Sequence, residues 1–397
     1  MRESITPDPA TTPVIVACGR SAIGRSDPDD GLFRHVRGDE LAAAVIAAVV
    51  ERSGVDPVTI EDVVLGTTQP RGAPGGNVAR TAALMAGLPA FAAGTTVNRL
   101  SGSSLQALAQ ACHAIRAGAE NVQVVGGFEH MHHLPMEPAL EVHPRALARS
   151  SRGVLSPGLT AEHLATVHRI DRSRQEEFAL ESHAKAARAD DAGLFDDEIV
   201  RVPGHDEAGA VVEVAADQSI RRDLSRAALA ALEPAWLPAT GTVTVGTSAP
   251  PGDGAAALVV MSAAEAARQG LEPLVRVVAT AVVGVPPALM GTGPIAAVRK
   301  LLARVASRGI ALADVDLVEL DEVFAVQALH CRAELGLDPA RVNVRGGALA
   351  LGHPLGAGGA RIATTLVHAL CDSGARLGLA TTCVGLGQGI AVLVERP

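Results

Sequence analysis

The chain has 397 residues, 48% of them hydrophobic and 19% charged, which excludes global disorder and suits two or more packed layers or domains. Its formal net charge is -9, no basic cluster is present, and aromatics make up 2%, with no Tyr and one Trp, Trp236; this argues against a nucleic-acid binder. The five cysteines, Cys18, Cys112, Cys331, Cys371 and Cys383, form no CxxC pair, which excludes a disulfide scaffold and a Cys-rich zinc site.

In chain order, Met1 to Pro13 holds three prolines and reads as a loose tail. Val14 to Cys18 reads as a buried strand, too short for a signal-peptide core. Asp39 to Ser53 reads as a helix with an acidic first turn, closed near Gly54. Its Ala-rich run falls well short of the ~20 residues of a membrane span, so the expected location is the cytoplasm. Asp62 to Leu65 is a strand, Leu105 to Ala117 a helix, and Val122 to Val125 a strand ending at Gly126-Gly127. From there to about Thr240 histidines, prolines and charges rise and long apolar runs are lost. Within this stretch Arg172 to Ala192 reads as an amphipathic helix.

After Gly241 strands and helices alternate again. Strands are expected over 258–261, 274–283, 315–320, 377–383 and 390–394, and helices over 263–269, 294–306, 323–335 and 360–372. Gly54-Val55-Asp56 leading into Asp62–Leu65 echoes Gly309-Ile310 leading into Asp316–Leu320. A duplicated α/β unit explains the echo economically, and the alternating β and α elements argue for mixed, largely parallel sheets covered by helices.

Three small-residue stretches stand out. Val97-Asn98-Arg99-Leu100-Ser101-Gly102-Ser103-Ser104 opens a helix, where free backbone N–H groups can form an oxyanion hole beside a nucleophile. On these residues alone a simple Ser N-cap is the better reading. In Gly346-Gly347-Ala348-Leu349-Ala350-Leu351-Gly352-His353-Pro354, the loop His353 is a general base or a surface turn residue, two readings that balance. Cys383-Val384-Gly385-Leu386-Gly387-Gln388-Gly389 ends a strand with a thiol that alone would read as a buried structural Cys.

Together with Thr160-Ala161-Glu162, Asp253-Gly254-Ala255-Ala256-Ala257 and Asp321-Glu322-Val323-Phe324-Ala325, these stretches resemble the thiolase family from about Val14 to Val394. Glu129-His130-Met131, His133, Pro135-Met136, Asp217, Ile220-Arg221 and Gly241-Thr242-Val243-Thr244 resemble its fatty-acid β-oxidation branch. The resemblance implies an α/β thiolase fold with duplicated αβα halves in a five-layered core and an inserted loop domain. The expected division is an N-terminal half over 1–127, a loop domain binding substrate and CoA over 128–240, and a C-terminal half over 241–397. It further implies a homodimer or homotetramer, a possible β-oxidation partner subunit, no metal and no cofactor, with coenzyme A esters as substrates.

By the same resemblance Ser101 takes the place of the family's nucleophilic Cys, His353 is the base that activates it, and Cys383 is the acid/base. The Ser101 and Gly385 amides map to the oxyanion hole, and Arg221 to a CoA-binding position. Departures from the family pattern are Ser101 for Cys, Asp321 for an Asn that holds a water, Ala249 for a Ser that contacts the pantetheine arm, and Arg345 for Asn. Ser101 is either an introduced change in an ordinary thiolase or a natural divergence; the clustering of changes around the site favours divergence. The pairing of Ser with Asp suggests a Ser101–His353–Asp321 triad. His130, His132 and His133 suggest a metal site only weakly, since Glu129 is their one acidic neighbour.

The leading expectation is a CoA-dependent acyltransferase of the acetyl-CoA C-acyltransferase type, working through an acyl-enzyme on Ser101. The alternatives are a Ser-nucleophile enzyme passing the acyl group to oxygen, nitrogen or water, and a non-catalytic subunit on the same fold. Retention of His353, Cys383 and Gly385 argues against the last.

Overall fold

Apolar β-branched runs alternating with Ala-rich stretches generate strands and helices in the order the sequence suggests. The computed structural model describes residues 8–136, 142–148 and 150–397; the first seven residues of the expected tail lie outside this range. The first part of the chain forms β1 (Pro13–Arg20), β2 (Gly24–Arg25), α1 (Gly38–Ser53), β3 (Asp62–Gly66), α2 (Val78–Met85), β4 (Ala93–Val97), α3 (Ser103–Ala117) and β5 (Val122–His130). The irregular middle carries α4 (Pro144–Leu147), α5 (Pro157–His168), α6 (Arg172–Asp191), the hairpin of β6 (Val202–His205) and β7 (Val211–Val214), and α7 (Arg226–Ala230). There follow β8 (Gly252–Ser262), α8 (Ala263–Gln269), β9 (Val275–Gly284), α9 (Gly293–Val305), β10 (Leu317–Leu320) and α10 (Ala325–Leu335). The chain ends with α11 (Ala348–Leu351), α12 (Leu355–Ser373), β11 (Leu377–Val384) and β12 (Gln388–Glu395).

The strands follow one hydrogen-bonded path, β10-β11-β12-β9-β1-β8-β5-β3-β4, with β2 attached to β8. Its two halves join at a two-residue pairing, Val14↔Arg276 and Ile15↔Val275. Helices α3 and α12 pack on each other and on strands of both halves, in an apolar layer that includes Leu105, Leu108, Ile362, Leu366, Val125 and Val392. Helices α1 and α2 cover the outer face of one half, and α9 and α10 that of the other. Helix, sheet, helix, sheet, helix is the expected five-layered arrangement.

The duplicated joint is real in three dimensions. Gly54 and Gly309 each take a left-handed conformation, with φ of 66° and 74°, which favours Gly. Each is followed by a 3-10 turn, Pro57–Thr59 or Leu312–Asp314, and then by β3 or β10.

Three expectations need correction. The sheet is mixed, as expected, but not largely parallel: β3 runs parallel to β4 and β5, and β10 to β11, while the other pairs are antiparallel. The short turn from β11 to β12 allows nothing else. Strand β5 does not stop at Gly126-Gly127 but runs through to His130, because a Cβ at Gly126 would overlap the Ala256 carbonyl of the neighbouring strand. Helix α12 begins at Leu355, directly after Pro354, and not at Ala360; a Cβ at Gly359 would lie 2.7 Å from Leu105, so its glycines serve close packing against α3. Strand β8 lies beyond residue 241 yet pairs with β1 and β5, in the sheet of the N-terminal half.

Candidate active site

The Ser101 segment is held by its own short polar side chains. Leu100 N donates to Asn98 Oδ1 at 2.8 Å, Asn98 Nδ2 donates to the Thr68 carbonyl at 3.1 Å, and Arg99 N donates to Ser103 Oγ at 2.9 Å. Leu100 is forced to a φ of 47°, a conformation costly for a branched residue, so the turn before Ser101 is a strained elbow. Ser101 is 8% exposed and sits just before α3. Its hydroxyl donates to the Cys383 carbonyl at 2.9 Å.

That bond brings the first and third stretches together. Further ties hold them: Arg99 Nη1 donates to Gln388 Oε1 at 2.9 Å, and Gln388 Nε2 to the Gly385 carbonyl at 3.4 Å. A Cβ at Gly102 would lie 2.7 Å from Val384, and one at Gly385 would lie 2.8 Å from Leu100. These glycines let two loops approach closer than side chains permit. Burial is the main reason the Cys383 thiol has a pKa well above the ordinary value, and nearby Asp321 and Cys331 add to it. The thiol therefore stays protonated and suits proton donation better than attack.

His353 occupies the link between α11 and α12. Its N–H donates to the Pro250 carbonyl at 2.9 Å, and it bridges to Pro251. His353 is 4% exposed, and among the described residues neither ring nitrogen has a hydrogen-bond partner. Burial lowers its pKa; the Asp321 carboxylate opposes this and Arg361 reinforces it. A neutral imidazole results, the form a general base needs.

Asp321 is fully buried at the end of β10. Its Oδ2 accepts from Thr382 Oγ1 at 2.8 Å. Its Oδ1 lies 3.6 Å from His353 Nδ1 and 3.7 Å from Arg361 Nη2. The structure thus places the carboxylate beside the imidazole at ion-pair distance, beyond a formed hydrogen bond. The next residue, Glu322, accepts from Ser182 Oγ, Asn343 Nδ2 and the Leu349 amide, and is taken up in holding the fold.

Other sequence-derived candidates fall elsewhere. Ala249 N donates to the Val323 carbonyl, next to the prolines that hold His353. Arg221 is exposed, makes no ion pair among the described residues, and donates its backbone N–H to His183 Nδ1 at 3.1 Å. Arg345 is buried, and its guanidinium reaches the Leu194 carbonyl, Glu198 and Asp372; none of these belongs to the His353 cluster. His130 and His133 stack at 3.9 Å between ring centroids, and each ring meets a backbone carbonyl, of Phe33 and Arg34 respectively. Among the described residues no group of three or more His, Cys, Asp or Glu side chains is placed to hold a metal ion. Sequence reasoning missed Thr382, Arg361 and Gly358. A basic residue inside the otherwise apolar face of α12 was the one available signal.

The chain matches the family description "Thiolase, N-terminal domain" over residues 13–264 and "Thiolase, C-terminal domain" over residues 271–396. It belongs to the thiolase family. It is similar to a 3-ketoacyl-CoA thiolase of Aliivibrio fischeri, with 47% identity over 391 residues, 97% of this chain and 99% of the relative. A 3-ketoacyl-CoA thiolase of Shewanella frigidimarina is 46% identical, covering 96% and 99%. Two solved structures share the fold across 97% of this chain and 99% of their own. They are the acetyl-CoA acetyltransferase of Bacillus anthracis (TM-score 0.87, 38% identity) and human mitochondrial 3-ketoacyl-CoA thiolase (TM-score 0.88, 31% identity). This thiolase is thus an acyltransferase, and no helix among its described residues is long and apolar enough to cross a membrane.

Proposed function

We propose that this thiolase takes an acyl group from an acyl-CoA or 3-ketoacyl-CoA onto Ser101, and that it is an acetyl-CoA C-acyltransferase. The observation that carries the reading is the 2.9 Å bond from Ser101 Oγ to the Cys383 carbonyl, which joins the helix-start Ser to the strand-end thiol. The printed names of its relatives supply the substrate class.

In thiolysis, the Ser101 hydroxyl swings from the Cys383 carbonyl to attack C3 of the 3-ketoacyl-CoA, and its proton passes to His353. The Ser101 and Gly385 amides receive the oxyanion. The C2–C3 bond breaks, and Cys383 protonates the departing acetyl-CoA carbanion. A free CoA thiol then gives its proton to the Cys383 thiolate and attacks the acyl ester, and His353 returns its proton to the leaving Ser101 oxygen. Arg221 and Ala249, in and after the middle segment, line the path of the CoA moiety.

One observation favours a second reading. Asp321, with its carboxylate 3.6 Å from His353 Nδ1, opposes the negative charge of an enolate but suits an imidazole that activates an oxygen nucleophile. The acyl group would then pass to an alcohol, an amine or water.

Intact mass after incubation with a panel of acyl-CoA esters, with free CoA followed in the same samples, tests both readings. The expected result is an acyl adduct on the parent that disappears in Ser101→Ala. Acetoacetyl-CoA with added CoA should then give acetyl-CoA; CoA release without thiolysis would select the second reading. An equal adduct on Ser101→Ala would refute both.

A further inference from the structure

Among the described residues, four buried polar atoms of this one cluster lack hydrogen-bond partners: Asp321 Oδ1, His353 Nδ1 and Nε2, and Arg361 Nε. Buried polar atoms are rarely left unpaired, and a cluster of them calls for a function. Three features shape this spot. The Thr382 hydroxyl has one proton, within reach of both Asp321 Oδ2 (2.8 Å) and the Cys383 carbonyl (2.9 Å); the charged acceptor makes the stronger bond. It fixes one carboxylate oxygen and turns the other toward His353. Arg361 stands 3.4 Å from Glu319 and 3.7 Å from Asp321. Burial pushes the Glu319 carboxyl up to about 8, so it is largely protonated near neutral pH and leaves the guanidinium charge to Asp321. Finally, a Cβ at Gly358 would sit 2.9 Å from His353 Cε1 and 3.6 Å from Asp321 Oδ2, in the gap between ring and carboxylate.

We infer that Thr382, Arg361 and Gly358 are positioning residues that hold the Asp321 carboxylate against His353 Nδ1, fixing the Nδ1–H tautomer and leaving Nε2 free as the base. The inference rests on the reading of His353 as the base for Ser101. The 3.6 Å gap closes by about 0.7 Å to a formed hydrogen bond, a tightening common when substrate enters an open site. No bond to carbon changes; the only event is retention of a proton on Nδ1 while Nε2 takes the Ser101 proton.

The test is 15N NMR of histidine-labelled full-length protein, with His353→Gln identifying the resonances. The parent should show Nδ1 protonated and Nε2 bare near pH 7.5. Thr382→Val keeps the shape but loses the hydroxyl, and should shift population toward the Nε2–H form; Thr382→Ser should restore the parent pattern. Asp321→Asn should move the tautomer further, and should slow Ser101 acylation by hexanoyl-CoA by about 10^2- to 10^4-fold, the upper bound being the loss seen for the same exchange in a serine-protease triad. A purely structural role for Thr382 would lower the melting temperature and leave the tautomer alone. Nε2–H in the parent, or an unchanged tautomer in both Thr382→Val and Asp321→Asn, would overturn the inference. That failure is separable from failure of the Ser101 reading, which shows as acylation of Ser101→Ala with the tautomer data intact.

Discussion

Removing the proton of Ser101 requires a neutral imidazole, and the burial of His353 supplies one. Its pKa is depressed below the ordinary value of 6.5, and Asp321 restores only part of the loss. Charging His353 destroys the base, so the sign of the pH dependence follows. Acylation of Ser101 should be flat through neutrality and fall only once pH drops below 6.5. Single-turnover acylation measured against pH checks this; a limb centred above that value would count against His353. In Asp321→Asn the limb should move to lower pH, because the carboxylate that stabilises the imidazolium is gone. The same burial that frees His353 keeps the Cys383 thiol protonated, so one apolar environment tunes a base and an acid in opposite directions.

Elements bring these groups together by crossing where side chains are missing. At the start of α9, Gly293 lies against Gln388 and Gly389 of β12; a Cβ on Gly293 would overlap the Gln388 carbonyl, and one on Gly389 the Gly293 carbonyl. Gly389 pairs with Cys383, and Gln388 with Val384, so this crossing sets the depth of the thiol loop. Gly293→Ala should therefore destabilise the fold by about 1–3 kcal/mol through overpacking, read from denaturant midpoints at unchanged slope. It should also depress acylation, since Gln388 anchors Arg99 and hence the Ser101 elbow. Elements with strong periodicity, such as α1, α3 and α6, were legible from the sequence. Helix α2 and strand β4 were not: β4 is a five-residue edge strand with a Gly, two Thr and no fully buried residue, so its position is set by pairing with β3 and not by an apolar pattern.

Over the whole molecule, buried charge ties the middle segment to both halves. Glu198 accepts from Arg20 Nε at 2.6 Å and Thr365 Oγ1 at 3.0 Å, and pairs with Arg345 Nη1 at 3.4 Å. Arg20 in turn makes a two-pronged bond to Asp217. These partners come from β1, from the loop before α11, from α12, and from both ends of the β6–β7 hairpin region. Arg345, which on sequence counted among the changes around the site, belongs to this network instead. Glu198→Ala leaves two guanidinium groups buried with fewer partners and should cost about 3–5 kcal/mol, measurable by chemical denaturation. An effect within the error of the measurement would show that the network contributes nothing net.

The sequence by itself determined the local matters: strand and helix periods, the glycine with left-handed φ that closes α1, and the three small-residue stretches around Ser101, His353 and Cys383. These are written in neighbouring residues, because backbone preference and amphipathic period act over a few positions. The tertiary structure alone decided that β8 joins the N-terminal sheet, that Arg345 turns to Glu198, and that Asp321 lies between Thr382, His353 and Arg361. Thr382 and Asp321 are 61 positions apart in the chain. Their meeting depends on the parallel register of β10 and β11, where Leu320 faces Thr381. Such a register arises from packing across layers, and no local propensity encodes it.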